Sequence, residues 1–228
     1  MQRELIENII NINAKIEDVC SSINKDKDEI TLVAVSKRKS SELIEIALDN
    51  MINNFGENYA QELHEKAIAI KSSNIVWHFI GPMQSNKVKI IARHAHWIHT
   101  IDREKIIKRL NSECKKLNKI INACIQINIS SEDSKSGCKP EELFELAKLI
   151  ESMENINLKG IMALPKLTND KNERDRMMQS VKKLSIELQS VYSGATHVSL
   201  GTTSDFHDAI INGANMVRIG ESIFGKRL

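Results

Sequence analysis

The run Ile121-Asn-Ala-Cys-Ile-Gln-Ile-Asn-Ile129 has no wholly polar face. A strand with one side in water alternates between apolar and polar residues, whereas the strands of a parallel sheet are covered by helices on both faces. We therefore interpret this run as a buried parallel strand. Because parallel neighbours need a long crossover connection, usually a helix, the run predicts an α/β fold.

Short β-branched runs recur along the chain, and each is followed by a helical pattern. They lie near 31–36, 53–56, 75–80, 97–101, 121–129, 157–163, 196–200 and 215–219. Eight such units without a composition shift or a proline-rich linker predict one (β/α)8 TIM barrel, a single domain over residues 1–228. A doubly wound open sheet is the alternative. The second and fourth runs are the weakest strand predictions because they are short and rich in polar residues.

A helix is predicted before the first strand. Apolar residues recur at steps of three and four within residues 1–24, at Leu5, Ile9, Ile12, Ile16, Val19 and Ile23. We expect this amphipathic helix to pack on the barrel.

Composition narrows the class of protein. The 228 residues include 32 basic and 30 acidic side chains and only 4% aromatic residues, so we expect no nucleic-acid surface. No apolar stretch approaches the ~18 residues of a membrane span, and the N-terminus mixes charges among its apolar residues. We expect a cytoplasmic monomer that neither enters nor binds a membrane, with its four cysteines reduced.

Lys37 directly follows the strand-like run Leu32–Ser36. In α/β barrels, active sites lie at the carboxyl ends of the strands. A partly desolvated lysine there favours the neutral amine, which condenses with an aldehyde to form a Schiff base. The alternative is a solvated turn lysine, since Arg38 and Lys39 follow directly.

The C-terminal region predicts an anion site beside this lysine. His197–Asp205 is interpreted as strand seven and its loop, and Met216–Ser222 as strand eight running into a short helix. The loops after strands seven and eight form a recurrent phosphate site in barrels. Arg218 lies in an apolar strand and needs acceptors, either from a ligand or from a carboxylate at the barrel rim. Together with Lys37, these features predict a phosphorylated aldehyde as ligand, with pyridoxal 5′-phosphate as the candidate.

The chain contains a series of short motifs that occur in the same order in one protein family. They are Ala34-Val-Ser-Lys37, Phe55-Gly-Glu-Asn-Tyr-Ala-Gln-Glu62, Trp77-His-Phe-Ile-Gly-Pro-Met-Gln-Ser-Asn-Lys87, Ile98-His-Thr-Ile-Asp102, Gln126-Ile-Asn-Ile129 with Ser134-Lys-Ser-Gly137, Val198-Ser-Leu-Gly201 and Met216-Val-Arg-Ile-Gly220 with Ile223-Phe-Gly225. The chain resembles the YggS/PROSC family of pyridoxal phosphate homeostasis proteins, whose barrel is similar to the N-terminal domain of alanine racemase.

The resemblance implies a cofactor site. In it, Lys37 carries pyridoxal phosphate as an internal aldimine, and Arg218 faces the pyridine nitrogen. Ser199, Thr203 and the backbone at Gly220 and Glu221 surround the phosphate, while Asn58 lines the ring pocket. The chain departs from the family loop Ser-Leu-Gly-Met-Ser-x-Asp, because Thr202 replaces the methionine and Thr203 the serine.

By the same resemblance, the protein holds pyridoxal phosphate and passes it to apo-enzymes without efficient catalysis, so no catalytic residue is predicted. Racemisation in the similar racemase also needs a tyrosine base, and Tyr59 and Tyr192 lack that context. The alternatives are a small amino-acid racemase or decarboxylase, with Tyr59 or a loop residue as base, and an interaction protein with a vestigial cofactor.

Two other features could carry function. His94, His96 and His99 lie close in sequence, but no nearby ligand completes a metal set, so no metal is predicted. His78 and His99 are interpreted as rim or core histidines. The polar stretch Ser130–Gly137 is either a functional loop at the carboxyl ends of the strands or a solvated one.

Overall fold

Eight parallel strands close into a barrel in the order β1 to β8. The structure is a computed structural model that describes residues 2–130, 136–166, 168 and 170–225. The strands are β1 Thr31–Val35, β2 Asn54–Glu57, β3 Val76–Phe79, β4 Trp97–Ile101, β5 Ile121–Ile127, β6 Ile156–Ala163, β7 His197–Ser199 and β8 Met216–Ile219. The predicted TIM barrel is confirmed, and the open sheet is wrong because β1 pairs with β8.

Helices follow the strands around the barrel. They are α1 Gln2–Ser22, α2 Ser41–Asp49, α3 Ala60–Ala69, α4 Val88–His94, α5 Glu104–Lys116, α6 Leu143–Glu151, α7 Lys171–Val191, α8 Phe206–Ile211 and α9 Glu221–Phe224, with 3-10 turns at Lys27–Glu29, Ser85–Lys87 and Pro140–Glu142. Among the described helices, none is both long and apolar enough to cross a bilayer. Most of the polar stretch Ser130–Gly137, namely residues 131–135, lies outside the described part of the chain.

Helix α1 is the predicted N-terminal helix. Its apolar stripe is buried from Leu5 to Val19, and the helix packs against α2, α8 and α9. The side-chain amide of Asn8 also donates a hydrogen bond to the Ile223 carbonyl, at 3.1 Å. Helix α1 therefore joins elements from the two ends of the barrel sequence.

The protein has two buried layers. The layer between the strands and the helices is apolar and contains large side chains such as Phe55, Phe79 and Ile98. The barrel interior is mixed, because buried His78 and Arg218 face inward. All four cysteines are buried and free, and desolvation raises the pKa of the Cys124 and Cys138 thiols to about 12.

A bulge between β5 and β6 depends on one glycine. The pairing shifts from Ala123 with Leu158 to Cys124 with Gly160, so β6 accommodates an extra residue. Gly160 has a φ of +149°, and a Cβ added there would lie 1.8 Å from the His197 carbonyl oxygen. Since that oxygen belongs to a paired backbone, a larger residue would displace β7.

We therefore expect Gly160→Ala to lower the free energy of unfolding in urea by at least ~3 kcal/mol, because the methyl group would collide with backbone. Gly194→Ala is the matched control, since its added Cβ would meet nothing within 4 Å. Equal urea midpoints for the two variants would contradict this account of the bulge.

Candidate functional site at the carboxyl ends of the strands

We call the carboxyl ends of the strands, together with the loops that follow them, the mouth of the barrel. Pairing of β1 with β8 closes the barrel and brings the loops after these two strands together at the mouth. Ala34 pairs with Ile219, which places Val35 beside Gly220. A Cβ added to Gly220 would lie 3.2 Å from the Val35 carbonyl oxygen, so the two loops approach closely. The turn that contains Lys37 and the loop that contains Gly220 therefore lie in the same part of the rim.

Lys37 occupies a tight turn and is partly buried. The Lys39 N–H donates to the Ser36 carbonyl at 3.0 Å, which closes the turn around Lys37 and Arg38. The ammonium group of Lys39 donates to the Phe224 carbonyl at 2.9 Å. This second bond ties the turn after β1 to the short helix after β8.

Asn58 directly follows β2, on the neighbouring side of the mouth. Its Oδ1 atom is buried, and no described residue donates a hydrogen bond to it. A Cβ added to Gly81 would lie 2.0 Å from the Asn58 carbonyl oxygen, so only glycine lets the two loops pack this closely. An unsatisfied buried acceptor costs free energy, and a ligand with a polar hydrogen would remove that cost.

Arg218 is a buried cation beneath the mouth, with 4% of its surface exposed. It donates to the Ser199 hydroxyl and, at 3.0 Å, to the Ala163 carbonyl. Desolvation lowers its pKa to about 10, against the opposing effect of Asp205, so the guanidinium is still charged at neutral pH. Both acceptors are neutral, and two donated bonds leave further N–H groups of the guanidinium for a ligand.

Hydrogen bonds continue from Arg218 across the barrel interior. The Ser199 hydroxyl oxygen lies 2.7 Å from His99 Nδ1, and His99 Nε2 lies 2.9 Å from His78 Nδ1. His78 Nε2 then lies 2.9 Å from Asn54 Oδ1. We call these five residues the histidine relay.

The histidine relay has one direction. Asn54 Oδ1 only accepts, so His78 donates to it from Nε2. Neutral His78 then accepts at Nδ1 from His99 Nε2, and His99 Nδ1 accepts from the Ser199 hydroxyl, which itself accepts from Arg218. Both histidines are therefore neutral and protonated at Nε2, which fixes the Ser199 hydroxyl and, through it, the guanidinium.

The loop between β7 and α8 contains Thr203, which is partly exposed. Thr202, which replaces the family methionine, donates to Asp205 Oδ1 through its hydroxyl at 2.8 Å and through its backbone N–H at 2.7 Å. The loop is therefore closed by a local polar turn rather than by methionine packing. After the neighbouring strand β8, Gly220 is the N-cap residue of α9, and Glu221 is the first residue of that helix.

The predicted site residues fall into two groups. The rim group comprises Lys37, Asn58, Thr203, Gly220 and Glu221, all of which follow strands. Ser199 and Arg218 instead lie inside the barrel, where the Ser199 hydroxyl is engaged by Arg218 and His99. The sequence predicts His78 and His99 at the rim or in the core; both are in the core, and their connection to Arg218 through Ser199 is not evident from the sequence. The only signal was the polar content of β2 and β4.

The neighbouring histidines do not converge on one point. His94 Nε2 lies 2.9 Å from His64 Nδ1, whereas His96 Nδ1 accepts the Trp77 N–H at 2.8 Å. His99 is in the barrel interior. Over the described part of the chain, no three metal-ligating side chains are grouped together.

The sequence of the chain is similar to those of known proteins. The family "Alanine racemase, N-terminal domain" matches residues 10–227. A pyridoxal phosphate homeostasis protein of Haemophilus influenzae is 42% identical, over 95% of this chain and 93% of that protein. The protein of the same name from Escherichia coli is 37% identical, over 98% of this chain and 97% of that one.

The chain belongs to the family of pyridoxal phosphate homeostasis proteins. The resemblance seen in the sequence motifs is thereby confirmed. Among solved structures, PipY of Synechococcus elongatus with bound pyridoxal phosphate superposes with a TM-score of 0.81 at 26% identity, over 92% of this chain and all of PipY (100%). Alanine racemase of Clostridium difficile superposes with a TM-score of 0.79 at 16% identity, over 99% of this chain and 57% of the racemase, which shows a shared fold.

The histidine relay makes stability depend on pH. Desolvation lowers the pKa of His78 to about 3 and that of His99 well below its usual range, so both are neutral in the folded protein. In the unfolded chain they bind protons below pH ~6.5. The contribution of these two histidines is therefore fully present above that pH, and each of them lowers the free energy of unfolding by up to ~1.4 kcal/mol per pH unit below it.

We expect His78→Gln to reduce the slope of unfolding free energy against pH by ~1 kcal/mol per unit between pH 6 and 4.5, as measured by urea titrations. The control is His207→Gln, since His207 is exposed on α8. An unchanged slope in His78→Gln would mean that His78 is protonated in the folded protein, contrary to the direction of the relay.

Proposed function

We propose that the protein binds pyridoxal 5′-phosphate at the mouth of the barrel, as a Schiff base with Lys37. Its role is cytoplasmic homeostasis of this cofactor: it holds the reactive aldehyde and supplies it to apo-enzymes without efficient catalysis of its own. The names of the curated relatives and the cofactor bound to PipY support this proposal.

The observation that carries the proposal is the meeting of three chemical groups at one place. The β1–β8 pairing brings the turn that contains Lys37 to the same part of the rim as Gly220, with Arg218 buried inside the barrel. A primary amine suits an aldehyde, and backbone N–H groups at a helix start suit a phosphate. A buried donor suits a ring nitrogen. Pyridoxal phosphate contains an aldehyde, a phosphate and a ring nitrogen, and so matches all three.

Arg218 would face the pyridine nitrogen. Because the guanidinium is charged and only donates, it would bind the unprotonated nitrogen. An unprotonated ring is a weak electron sink, which disfavours chemistry at the α-carbon of an amino acid. In our proposal, Ser199 acts on the cofactor through Arg218, since its hydroxyl is already engaged inside the barrel.

Rim residues would complete the cofactor site. The backbone N–H groups at Gly220 and Glu221 and the Thr203 hydroxyl would hold the phosphate. Asn58 would line the ring pocket, where its buried Oδ1 needs a donor. A side chain at Gly220 would press on the Val35 carbonyl, so glycine lets this loop lie close to β1.

Neither tyrosine supports the racemase alternative. Tyr59 is exposed, and the Arg38 guanidinium lies 5.9 Å from its ring centroid. Tyr192 follows the C-terminal end of α7, whereas the mouth adjoins the starts of the helices. A proton acceptor on the second face of an amino-acid substrate is typically worth ~10²–10⁴-fold in rate.

Lys37 is tested by trapping. Borohydride reduces a Schiff base to a stable amine, so reduction of the loaded protein followed by peptide mapping should label Lys37. Lys37→Ala should remove both the label and the visible absorption band. Lys87→Ala is the control, because Lys87 lies in the 3-10 turn between β3 and α4, and β3 does not pair with β8. Labelling confined to Lys87 would overturn the assignment.

The carrier role is tested against catalysis. We expect the loaded protein to reactivate an apo-enzyme even when a scavenger removes free cofactor, since transfer needs only reversal of the Schiff base. Exchange of the alanine α-hydrogen in deuterated water should stay at least ~10²-fold below that of an authentic racemase.

Two results would contradict this role. If the scavenger blocks reactivation completely, the protein is a reservoir and does not deliver the cofactor directly. If alanine racemises at an enzyme-like rate, the catalytic alternative is correct.

A further inference from the structure

A buried ion cluster lies on the outer side of the barrel, under the turn that carries Lys37. It consists of Glu57 at the end of β2, and Glu62 and Lys66 on α3. Lys66 is 7% exposed, and its ammonium nitrogen lies 2.7 Å from Glu57 Oε1 and 3.1 Å from Glu62 Oε2. The cluster lies away from the candidate cofactor pocket, because Glu57 points to the helix layer.

The ion cluster holds the residue before Lys37. Lys66 donates its third hydrogen bond to the Ser36 carbonyl at 2.8 Å, and the Ser36 hydroxyl donates to Glu57 Oε1 at 2.6 Å. Both the backbone and the side chain of Ser36 are therefore fixed by buried charged groups.

The ion cluster also holds the residue after Lys37. Glu62 Oε2 accepts the backbone N–H of Arg38 at 2.7 Å. Arg38 has a φ of +60°, a left-handed conformation that is unfavourable for a residue with a side chain. The hydrogen bond from Arg38 to Glu62 stabilises this conformation, which turns the chain back and leaves Lys37 between two anchored neighbours.

This arrangement has a cost in folding free energy. A buried ion pair seldom stabilises a protein more than apolar residues of the same shape. Glu57 Oε2 is buried, and no described residue donates a hydrogen bond to it. Desolvation raises the pKa of Glu57 to about 7, although Lys66 and Ser36 oppose the shift. A costly cluster that contacts both neighbours of Lys37 indicates a positional role.

We propose that Glu62 and Lys66, with Glu57, are positioning residues that hold the Lys37 turn ready for Schiff base formation. This inference rests on the proposed function of Lys37. Condensation joins the Lys37 nitrogen to the aldehyde carbon and releases the carbonyl oxygen as water. A fixed turn raises the effective concentration of the amine at that carbon. The proposed phosphate and ring contacts, from Gly220 and Arg218, do not use the turn.

Two ligands separate positioning from general binding. Pyridoxal phosphate has the aldehyde, whereas pyridoxamine 5′-phosphate has an amine in its place and cannot condense with lysine. Loosening the turn should therefore weaken the first ligand and leave the second unchanged. Dissociation constants for both are measured on the full chain, and borohydride trapping gives the fraction of bound pyridoxal phosphate that is joined to Lys37.

The most informative variants are a pair at Glu62, which is less buried than Glu57 and Lys66. Glu62→Ala removes the acceptor of the Arg38 N–H, whereas Glu62→Gln keeps an oxygen there. We expect Glu62→Ala to weaken pyridoxal phosphate binding about 10-fold and to lower the trapped fraction, as expected for a reacting group that is less well placed. Glu62→Gln should restore most of the binding.

Lys66→Met tests the other contact, with Lys119→Met as the matched control. Lys119 is a partly buried lysine that, like Lys66, donates to backbone carbonyls, including that of Ala92 at 3.0 Å. It differs in position, because it precedes β5 at the opposite end of the barrel. We expect Lys66→Met to lower the trapped fraction and Lys119→Met to leave it unchanged. If Lys66→Met does not fold, the Glu62 pair decides the question.

The outcomes are distinct. The inference is wrong if Glu62→Ala binds both ligands as the unmutated chain does, or if both ligands weaken equally. If the unmutated chain forms no adduct at Lys37, the proposed function itself fails. Selective loss of pyridoxal phosphate binding, restored by Glu62→Gln, supports the inference.

Discussion

The backbone hydrogen bonds between β1 and β8 are the contact on which the candidate site depends. They run from Thr31 with Met216 to Ala34 with Ile219 and close the barrel. Lys37 lies near the beginning of the barrel sequence and Gly220 near its end, so the site exists only when this seam is formed. Helix α1 covers the seam, since it packs on α2 after the first strand and on α8 and α9 around the last. Closure of the barrel therefore also assembles the candidate site.

The fold was predictable from the sequence because buried parallel strands leave a local signature. All eight predicted runs are strands, and their ends agree with the structure to within two residues. The residues that follow strands, such as Lys37 and Gly220, were predictable for the same reason, since the carboxyl ends of parallel strands share one edge. Arg218 was recognisable as a candidate because a guanidinium in an apolar strand needs hydrogen-bond acceptors.

The remaining features could not be predicted because they depend on pairs that are distant in the sequence. The polar residues that made β2 and β4 weak strand predictions include Asn54 and His99, which face the barrel interior and belong to the histidine relay. In the sequence, Lys66 resembles an ordinary lysine on a helix surface. Only the structure shows that it donates a hydrogen bond to the Ser36 carbonyl. Ser199 was associated with the phosphate from its motif, although its hydroxyl contacts Arg218 and His99.

The burial of the cysteines has a chemical consequence for a protein proposed to hold an aldehyde. Thiolates add readily to aldehydes, and the thiolate form requires a pKa near the ambient pH. All four thiols are buried, and desolvation raises the pKa of each. They are thus protonated and shielded, so the chain's own sulfur atoms do not compete with lysine for the carbonyl carbon. Selectivity for nitrogen over sulfur is in this way a property of the whole core rather than of the mouth alone.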